Sequence, residues 1–246
     1  MSATPFLWGV GFALGGSAIV LVTRQGTPGA ALLGFAVAIL MVLGFGPHAM
    51  APVALFVLGS GLLTRLGRGS KERQRAAEHD RGRRRAVHVA AKLGVPALLG
   101  LAAALAPAIR GAAGTGAAAA LAGAFADTAA TEVGPVAGGP VVRLQGGRWT
   151  RAAHGEPGGV SAAGLAAGAA AALVAAALAC AVGIGVTAGA PFVAFGAGFG
   201  AMVAESLVAG TRAGRRLGHF GRNVLVSALA AAAGCTLAAA LERRAG

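Results

Sequence analysis

Long, uninterrupted blocks of apolar residues constrain the fold of this 246-residue chain more than any other feature. Most of the blocks approach the length of about 20 residues that a helix needs to cross a bilayer. Inside a bilayer every backbone N–H and C=O must be paired within the protein, which leaves only helices or a closed barrel. The blocks are longer than a barrel strand of about 10 residues, and they do not alternate. The sequence therefore predicts an all-α fold, a polytopic transmembrane helical bundle.

Composition supports a membrane protein and argues against a soluble one. Hydrophobic residues make up 56% of the chain and charged residues only 12%, against roughly 25% charged residues in soluble domains. The 42 glycines would weaken soluble helices, but small residues let membrane helices approach closely. The net charge of +13 comes without interleaved aromatic residues, and Tyr is absent. We therefore attribute the charge to the positive-inside rule and expect no nucleic-acid partner.

Eight spans are predicted within a single integral membrane domain, residues 1–246. Two connections stand out, a basic loop at about 65–86 and a polar, Gly-rich loop at about 134–158. No basic segment precedes Phe6, so the first block is expected to be a retained helix. Cys180 and Cys235 fall inside apolar blocks and match no disulfide or zinc pattern. The predicted spans cover about 5–22, 29–45, 51–66, 87–109, 114–133, 160–182, 191–208 and 224–241.

The distribution of Lys and Arg predicts the orientation. Eight spans with the N-terminus outside leave four loops on the cytoplasmic side, and these loops hold 17 of the 21 Lys and Arg residues. Cytoplasmic loops of membrane proteins carry such an excess. We therefore expect both termini outside and the basic loop in the cytoplasm, in the inner or plasma membrane of a bacterial cell. The four exceptions are Arg110, Arg243 and Arg244, which fall outside, and Lys92, which lies within a span.

Charged residues inside membrane segments are costly and usually functional. Asp127, Glu132 and Glu205 all lie near the predicted cytoplasmic ends of their spans, and Thr128 supplies a hydroxyl between the first two. Three carboxylates at one depth suggest a site for Mg²⁺, which prefers oxygen ligands and shares substrate phosphates. We predict that all three bind the metal and that Asp127 and Glu132 are catalytic. The alternative is that these carboxylates only neutralise nearby Arg side chains.

A Gly-rich turn precedes the sixth span and predicts a phosphate site. Gly158 and Gly159 would let a phosphate approach the backbone closely, and the helix N-terminus that follows favours anions. Ser161 adds a hydroxyl or simply caps the helix. Arg84 and Arg85 adjoin the fourth span and are candidates to reach the same phosphate, although topology alone would also explain them. Carboxylates with metal, a helix N-terminus and Arg are the parts that phosphoryl transfer uses.

These landmarks, in this order, resemble the DUF92 family of membrane proteins, which includes the transmembrane-protein-nineteen group and the phytyl-phosphate kinases of plants and cyanobacteria. The resemblance covers most of the chain, and its most specific part is the segment 126–134, which looks like the family's ADTxxSExG signature. Asn223 falls where the family has the Asn of VNF. Further matches are 59–67 with a serine-rich helix end, 82–92 with GGRR…QVLAN, 155–161 with GTNGGVS and 205–211 with DSLLGAT.

The chain departs from the family pattern within these same motifs. Lys92 replaces an Asn, Ala129 replaces a Trp, Glu156 and Pro157 replace Thr-Asn, and Glu205 replaces an Asp. The resemblance implies an integral membrane kinase, a transferase that moves a phosphoryl group from a nucleoside triphosphate to a prenyl (isoprenoid) phosphate. It also implies that Asn223 belongs to the substrate site with Thr128. Two alternatives from other classes are a membrane transporter, which would use the same residues, and a catalytically inactive membrane scaffold.

Overall fold

The computed structural model describes residues 3–67, 84–186 and 189–245. Most of the predicted basic loop, including Arg83, lies outside these ranges. The described residues form eight long helices and one β-hairpin, which confirms the predicted helical bundle. Short 3₁₀ turns, Pro47–Ala49 and Pro107–Ile109, precede the third and fifth helices. The helices are α1 Ala3–Val22, α2 Pro28–Phe45, α3 Met50–Arg65, α4 Ala86–Leu105, α5 Arg110–Ala137, α6 Ala162–Ala181, α7 Ala190–Ala209 and α8 Arg212–Ala245.

Helix α5 forms the centre of the bundle. Every residue from Ala113 to Ala126 is buried, and the helix contacts α4, α6, α7 and α8. Small residues make this enclosure possible, because a Cβ added to Gly198 of α7 would lie 2.8 Å from the carbonyl oxygen of Ala119. The other seven helices are each long and apolar enough to cross a membrane, by length and composition. The bundle is therefore an Ala- and Gly-rich central helix inside seven more apolar helices.

Helices α5 and α8 extend beyond their predicted spans. Helix α5 runs four residues beyond each end of the predicted span 114–133. Helix α8 starts at Arg212, well before the predicted residue 224, and bends at Gly218, whose φ of 63° and ψ of −178° are not helical. The basic residues before Gly218 thus form a helical segment rather than a loop. Hydropathy marks where a helix enters lipid, and it misses polar turns that extend beyond that point.

The predicted Gly-rich loop contains an unpredicted β-hairpin. Strand β1, Val141–Gln145, pairs antiparallel with β2, Arg148–Ala152. Gly146 and Gly147 have φ of 58° and 79° and form the turn between them, as two-residue hairpin turns with two positive φ angles require. The hairpin returns the chain to the start of α6, where Val142 and Val160 pair through both backbone hydrogen bonds, at 2.9 and 2.7 Å.

The helix ends that were predicted to be cytoplasmic lie together. The α1–α2 turn pairs with the start of α4, because Thr27 N–H donates to the Arg84 carbonyl at 2.9 Å and Arg84 N–H donates to the Gln25 carbonyl at 2.8 Å. The Arg65 guanidinium at the end of α3 donates to the Thr23 carbonyl at 3.1 Å. One end of the bundle thus gathers most of the described basic residues, and the candidate site lies there.

Candidate functional site

A groove of about 610 Å³ runs between α1, α2, α3 and the start of α4. Most of its length is lined by apolar side chains such as Phe12, Ile19 and Val53. No carboxylate is among the described residues that line it. Its end at the basic side of the bundle is cationic, since Arg24, Arg65, Arg84 and Lys92 line it. The groove therefore combines an apolar trough with a positively charged end.

A second, polar cavity of about 190 Å³ lies beside the first, at the same end of the bundle. Helices α5, α6, α7 and α8 and the segment after β2 enclose it. Asp127 and Glu205 both line it. The other polar side chains in its wall are Thr131, His154, Glu156, Ser161, Ser206, His219, Arg222 and Asn223.

Lys92 and Asp127 form an ion pair between the groove and the polar cavity. The Lys92 ammonium donates to Asp127 Oδ2 at 2.8 Å and to Thr128 Oγ1 at 2.7 Å. The two charged side chains are 6% and 19% exposed. Lys92 lines the groove and Asp127 lines the polar cavity. The pair is therefore part of the partition between the two spaces.

Glu205 is held by Arg222 on the facing helix. The Arg222 Nε lies 3.3 Å from Glu205 Oε1, and the two side chains are 17% and 11% exposed. One residue further along α8, the buried Asn223 places its amide nitrogen 3.1 Å from His219 Nε2. These four residues line the polar cavity, so Asn223 lies at the same cavity as Glu205.

Glu132 does not join the other two carboxylates. It is buried, accepts a hydrogen bond of 2.6 Å from Thr64 Oγ1, and is absent from the described lining of both spaces. The reason is helical geometry: five residues separate Glu132 from Asp127, which at 3.6 residues per turn places them about 140° apart. The prediction that three carboxylates converge is therefore wrong.

The residues expected to hold Mg²⁺ do not fit a shared ion. Asp127 is paired with Lys92 and Glu205 with Arg222, while Glu132 faces α3. Within the described ranges, no three His, Cys, Asp or Glu side chains are grouped so that they could hold a metal. A magnesium ion bound by the three carboxylates together does not fit this arrangement.

The Gly-rich turn lines the polar cavity, but its residues also have packing roles. Gly158 has a φ of 79°, and a Cβ there would lie 2.6 Å from the backbone nitrogen of Gly210. A Cβ on Gly159 would lie 3.0 Å from the Glu156 carbonyl. Ser161 is the N-cap of α6, since its hydroxyl accepts the Gly164 N–H at 3.1 Å. The turn thus joins the hairpin to α7 and brings the N-terminus of α6 to the cavity.

The two predicted arginines have different surroundings. Arg84 lines the groove and donates to Thr64 Oγ1 at 3.4 Å. Arg85 is exposed at the N-cap position of α4 and is not among the described lining residues of either space. The structure therefore places Arg84, but not Arg85, at a candidate site.

Sequence reasoning missed several residues that the fold brings to this partition. His88 and His219 were unassigned, yet their rings are in edge-to-face contact. Arg222 has no role in the sequence analysis, and Lys92 enters it only as an exception to the charge count and a departure from the family pattern. The spacing of His88 and Lys92 by four residues places both on one face of a helix, and this signal was present in the sequence.

Fold and site together define a polytopic α-helical integral membrane protein with an apolar groove and a polar cavity meeting at one end. The family model for integral membrane protein DUF92 matches residues 11–224. The chain belongs to that family. No curated protein and no solved structure matches it.

Proposed function

We propose that this protein is a membrane phosphotransferase that extends a prenyl monophosphate to the diphosphate. A phosphate oxygen of the lipid forms a bond to the γ-phosphorus of a nucleoside triphosphate. The bond from the γ-phosphorus to the β-phosphate oxygen breaks, and its electron pair leaves with the nucleoside diphosphate. The lipid phosphate is largely a dianion at neutral pH, as phosphate monoesters have a second pKa near 6. The step therefore needs no base to remove a proton.

One observation carries this proposal: an apolar groove with a cationic end abuts a separate polar cavity across the Lys92–Asp127 pair. The groove volume of about 610 Å³ falls within the range of about 300–1,000 Å³ typical of small-molecule sites. A prenyl tail matches the trough, and its phosphate matches the cations at the end. The polar cavity of about 190 Å³ would take the phosphates of the nucleotide, with the rest of the nucleotide outside it at the basic, aqueous end of the bundle.

The chemistry of phosphoryl transfer suits this arrangement, since its catalysis consists almost entirely of positioning and charge neutralisation. Arg84 and Lys92 would neutralise the lipid phosphate, and Arg222 would approach the nucleotide phosphates from the cavity wall. The magnesium expected from the sequence would then arrive with the nucleotide, as part of the substrate. Asp127, Glu205 and Glu156 are the carboxylates among the described residues that line this cavity, and Glu156 is paired with Arg143 at 3.0 Å.

The position of the charges favours an enzyme over a transporter. Transporter sites lie near the bilayer midplane, between broken helices. Glu205 lies four residues from the end of α7, and both spaces meet at the basic end of the bundle. Substrates at this depth would be reached from one side only.

A direct assay tests the proposal. Purified protein is incubated with γ-labelled nucleoside triphosphate and a panel of prenyl monophosphates, with glycerolipid phosphates as comparison, and the labelled lipid is separated. We expect label in a prenyl diphosphate, and loss of that product in the Arg222→Gln variant. Folded protein that labels no prenyl phosphate with any nucleotide would refute the proposal.

A further inference from the structure

Lys92 is a charged residue buried within a predicted membrane helix. It lies six residues after the start of α4, or about 9 Å along the helix at 1.5 Å per residue, and it is buried. An ammonium at this depth is costly unless it is paired. Lys92 Nζ meets Asp127 Oδ2 and Thr128 Oγ1 at 2.8 and 2.7 Å. The ammonium thus lies between a carboxylate and a hydroxyl, two oxygen groups of the kind that bind a divalent cation.

The surrounding contacts hold the Thr128 hydroxyl and the Lys92 backbone in place. Thr128 Oγ1 donates to the Ala124 carbonyl at 3.0 Å, so its lone pairs are left to accept from Lys92. The backbone carbonyl of Lys92 accepts from the buried Ser227 hydroxyl of α8 at 3.1 Å. Three helices, α4, α5 and α8, therefore hold the ammonium position. A metal ion cannot occupy the space between Asp127 and Thr128 while Lys92 fills it.

One N–H of the Lys92 ammonium has no acceptor among the contacts of the described residues. An ammonium has three donors and no acceptor, and the contacts in the described part of the chain give Lys92 two acceptors, both on α5. Lys92 also lines the groove. On the same groove, the buried Ser60 hydroxyl has no hydrogen-bond partner among the described residues. The groove end therefore presents donors to an acceptor that the protein does not supply.

We propose that Lys92 is the resident cation of this site, replacing a divalent metal, and that it binds the phosphate of a lipid in the groove through its remaining N–H. Asp127 and Thr128 are then positioning residues that aim the ammonium. Binding of the lipid phosphate needs no metal ion. The phosphate part of this inference rests on the proposed function, whereas the exclusion of a metal by Lys92 does not.

The first experiment uses the protein alone with Mn²⁺ as the probe. Free Mn²⁺ is measured by electron paramagnetic resonance in titrations of wild type, Lys92→Asn and the charge-retaining control Lys92→Arg. We expect Lys92→Asn to bind Mn²⁺ at least tenfold more tightly than wild type or Lys92→Arg. Adding Asp127→Asn to the Lys92→Asn variant should abolish that gain. A wild-type Mn²⁺ site that disappears on Asp127→Asn would overturn the inference, as would Lys92→Asn without any gain.

Folding of the variant is followed in the same preparations. If Lys92→Asn melts early in EDTA, we expect Mn²⁺ to raise its melting temperature and to leave Lys92→Arg unchanged. Should Lys92→Asn fail to fold, Lys92→Gln takes its place, since it also removes the charge while keeping a longer side chain. Equal Mn²⁺ responses of the neutral and charged variants would contradict the assigned role of Lys92.

The second experiment measures binding of farnesyl monophosphate. Wild type should bind equally, within twofold, in EDTA and in millimolar Mg²⁺. Lys92→Asn should lose at least tenfold in affinity in EDTA and recover in Mg²⁺. A tenfold loss by wild type in EDTA would overturn the inference and leave the proposed function standing. Absence of wild-type binding under both conditions would instead refute the proposed function, and the Mn²⁺ titration would still decide the role of Lys92.

Discussion

The imidazole rings of His88 and His219 lie edge to face, with centroids 6.3 Å apart and an interplanar angle of 76°. His88 lines the groove and His219 lines the polar cavity. One turn further along α4, Lys92 also lines the groove, and its partner Asp127 lines the polar cavity. Two side-chain contacts thus separate the two spaces, so a phosphate in one would lie close to a phosphate in the other.

Filling the groove should block lipid binding without harming the fold. Gly34 lines the groove, and nothing lies within 4 Å of a Cβ built on it. We expect Gly34→Phe to lower affinity for prenyl phosphates at least tenfold, because the ring occupies the trough. The control is Gly196→Phe on α7, where also nothing lies within 4 Å of a built Cβ and which is not among the lining residues of the groove. Equilibrium binding and melting in detergent provide the measurements, and equal binding by the two variants would contradict the assignment of the groove.

The Lys92–Asp127 pair should show strong energetic coupling. Removing one partner of a buried pair typically costs about 3–5 kcal/mol, because the other charge is left uncompensated. We expect Lys92→Met and Asp127→Leu each to lower the free energy of unfolding by this amount, and the double variant to lose much less than their sum. Reversible unfolding in mixed micelles measures the cycle. Additivity within about 0.5 kcal/mol would show that the two residues are independent.

Substitutions of Glu205 and Glu132 should affect turnover differently. Glu205 faces the polar cavity and Glu132 faces Thr64. Glu205 holds Arg222, the side chain assigned to the nucleotide phosphates, at 3.3 Å. We therefore expect Glu205→Gln to lower turnover by up to about 10²–10³-fold, the typical cost of losing one electrostatic interaction made in the transition state. Glu132→Gln should keep turnover and lower only the melting temperature. Turnover assays on the folded variants decide the matter, and the reverse order would restore Glu132 to the mechanism.

A side chain added at Gly158 should destabilise the Gly-rich turn through steric conflict. Ala at a positive φ costs about 1–2 kcal/mol, and Gly158 and Gly139 both have such angles, 79° and 89°. A Cβ at Gly158 would also lie 2.6 Å from Gly210 N, whereas nothing lies within 4 Å at Gly139. Gly158→Ala should therefore melt earlier than Gly139→Ala and be cleaved faster by protease near residues 153–160. Identical melting of the two would show that the turn does not need this close approach.

Orientation can be tested with single cysteines at opposite ends of the bundle. Thr150 in β2 and Ala106 after α4 are both exposed. In a background with Cys180 and Cys235 changed to Ala, we expect an impermeant thiol reagent added to intact cells to label Ala106→Cys only. Permeabilised cells should label both variants. Labelling of Thr150→Cys from outside would invert the topology derived from Lys and Arg.

Hydropathy and charge predicted the bundle because crossing a bilayer imposes length and composition on each helix. They predicted Asp127 and Glu205 at a common site because both are costly where they lie. They erred at Glu132, since depth alone does not give the angle around a helix. The groove was not predicted at all. It is formed by α1, α2 and α3 against α4, and such inter-helix space depends on packing between segments far apart in sequence.

Helix α5 has a consequence for how this chain is made. It carries Asp127, Thr128 and Glu132, and it is the one long helix in the described ranges that lacks the hydropathy of a membrane span. Charged residues oppose the transfer of an isolated helix from the translocon into lipid. Lys92 on α4 precedes α5 in synthesis and supplies the counter-charge for Asp127. We therefore expect α4 to assist the insertion of α5, so that the ion pair which separates the two spaces in the folded protein also lowers the cost of bringing α5 into the membrane.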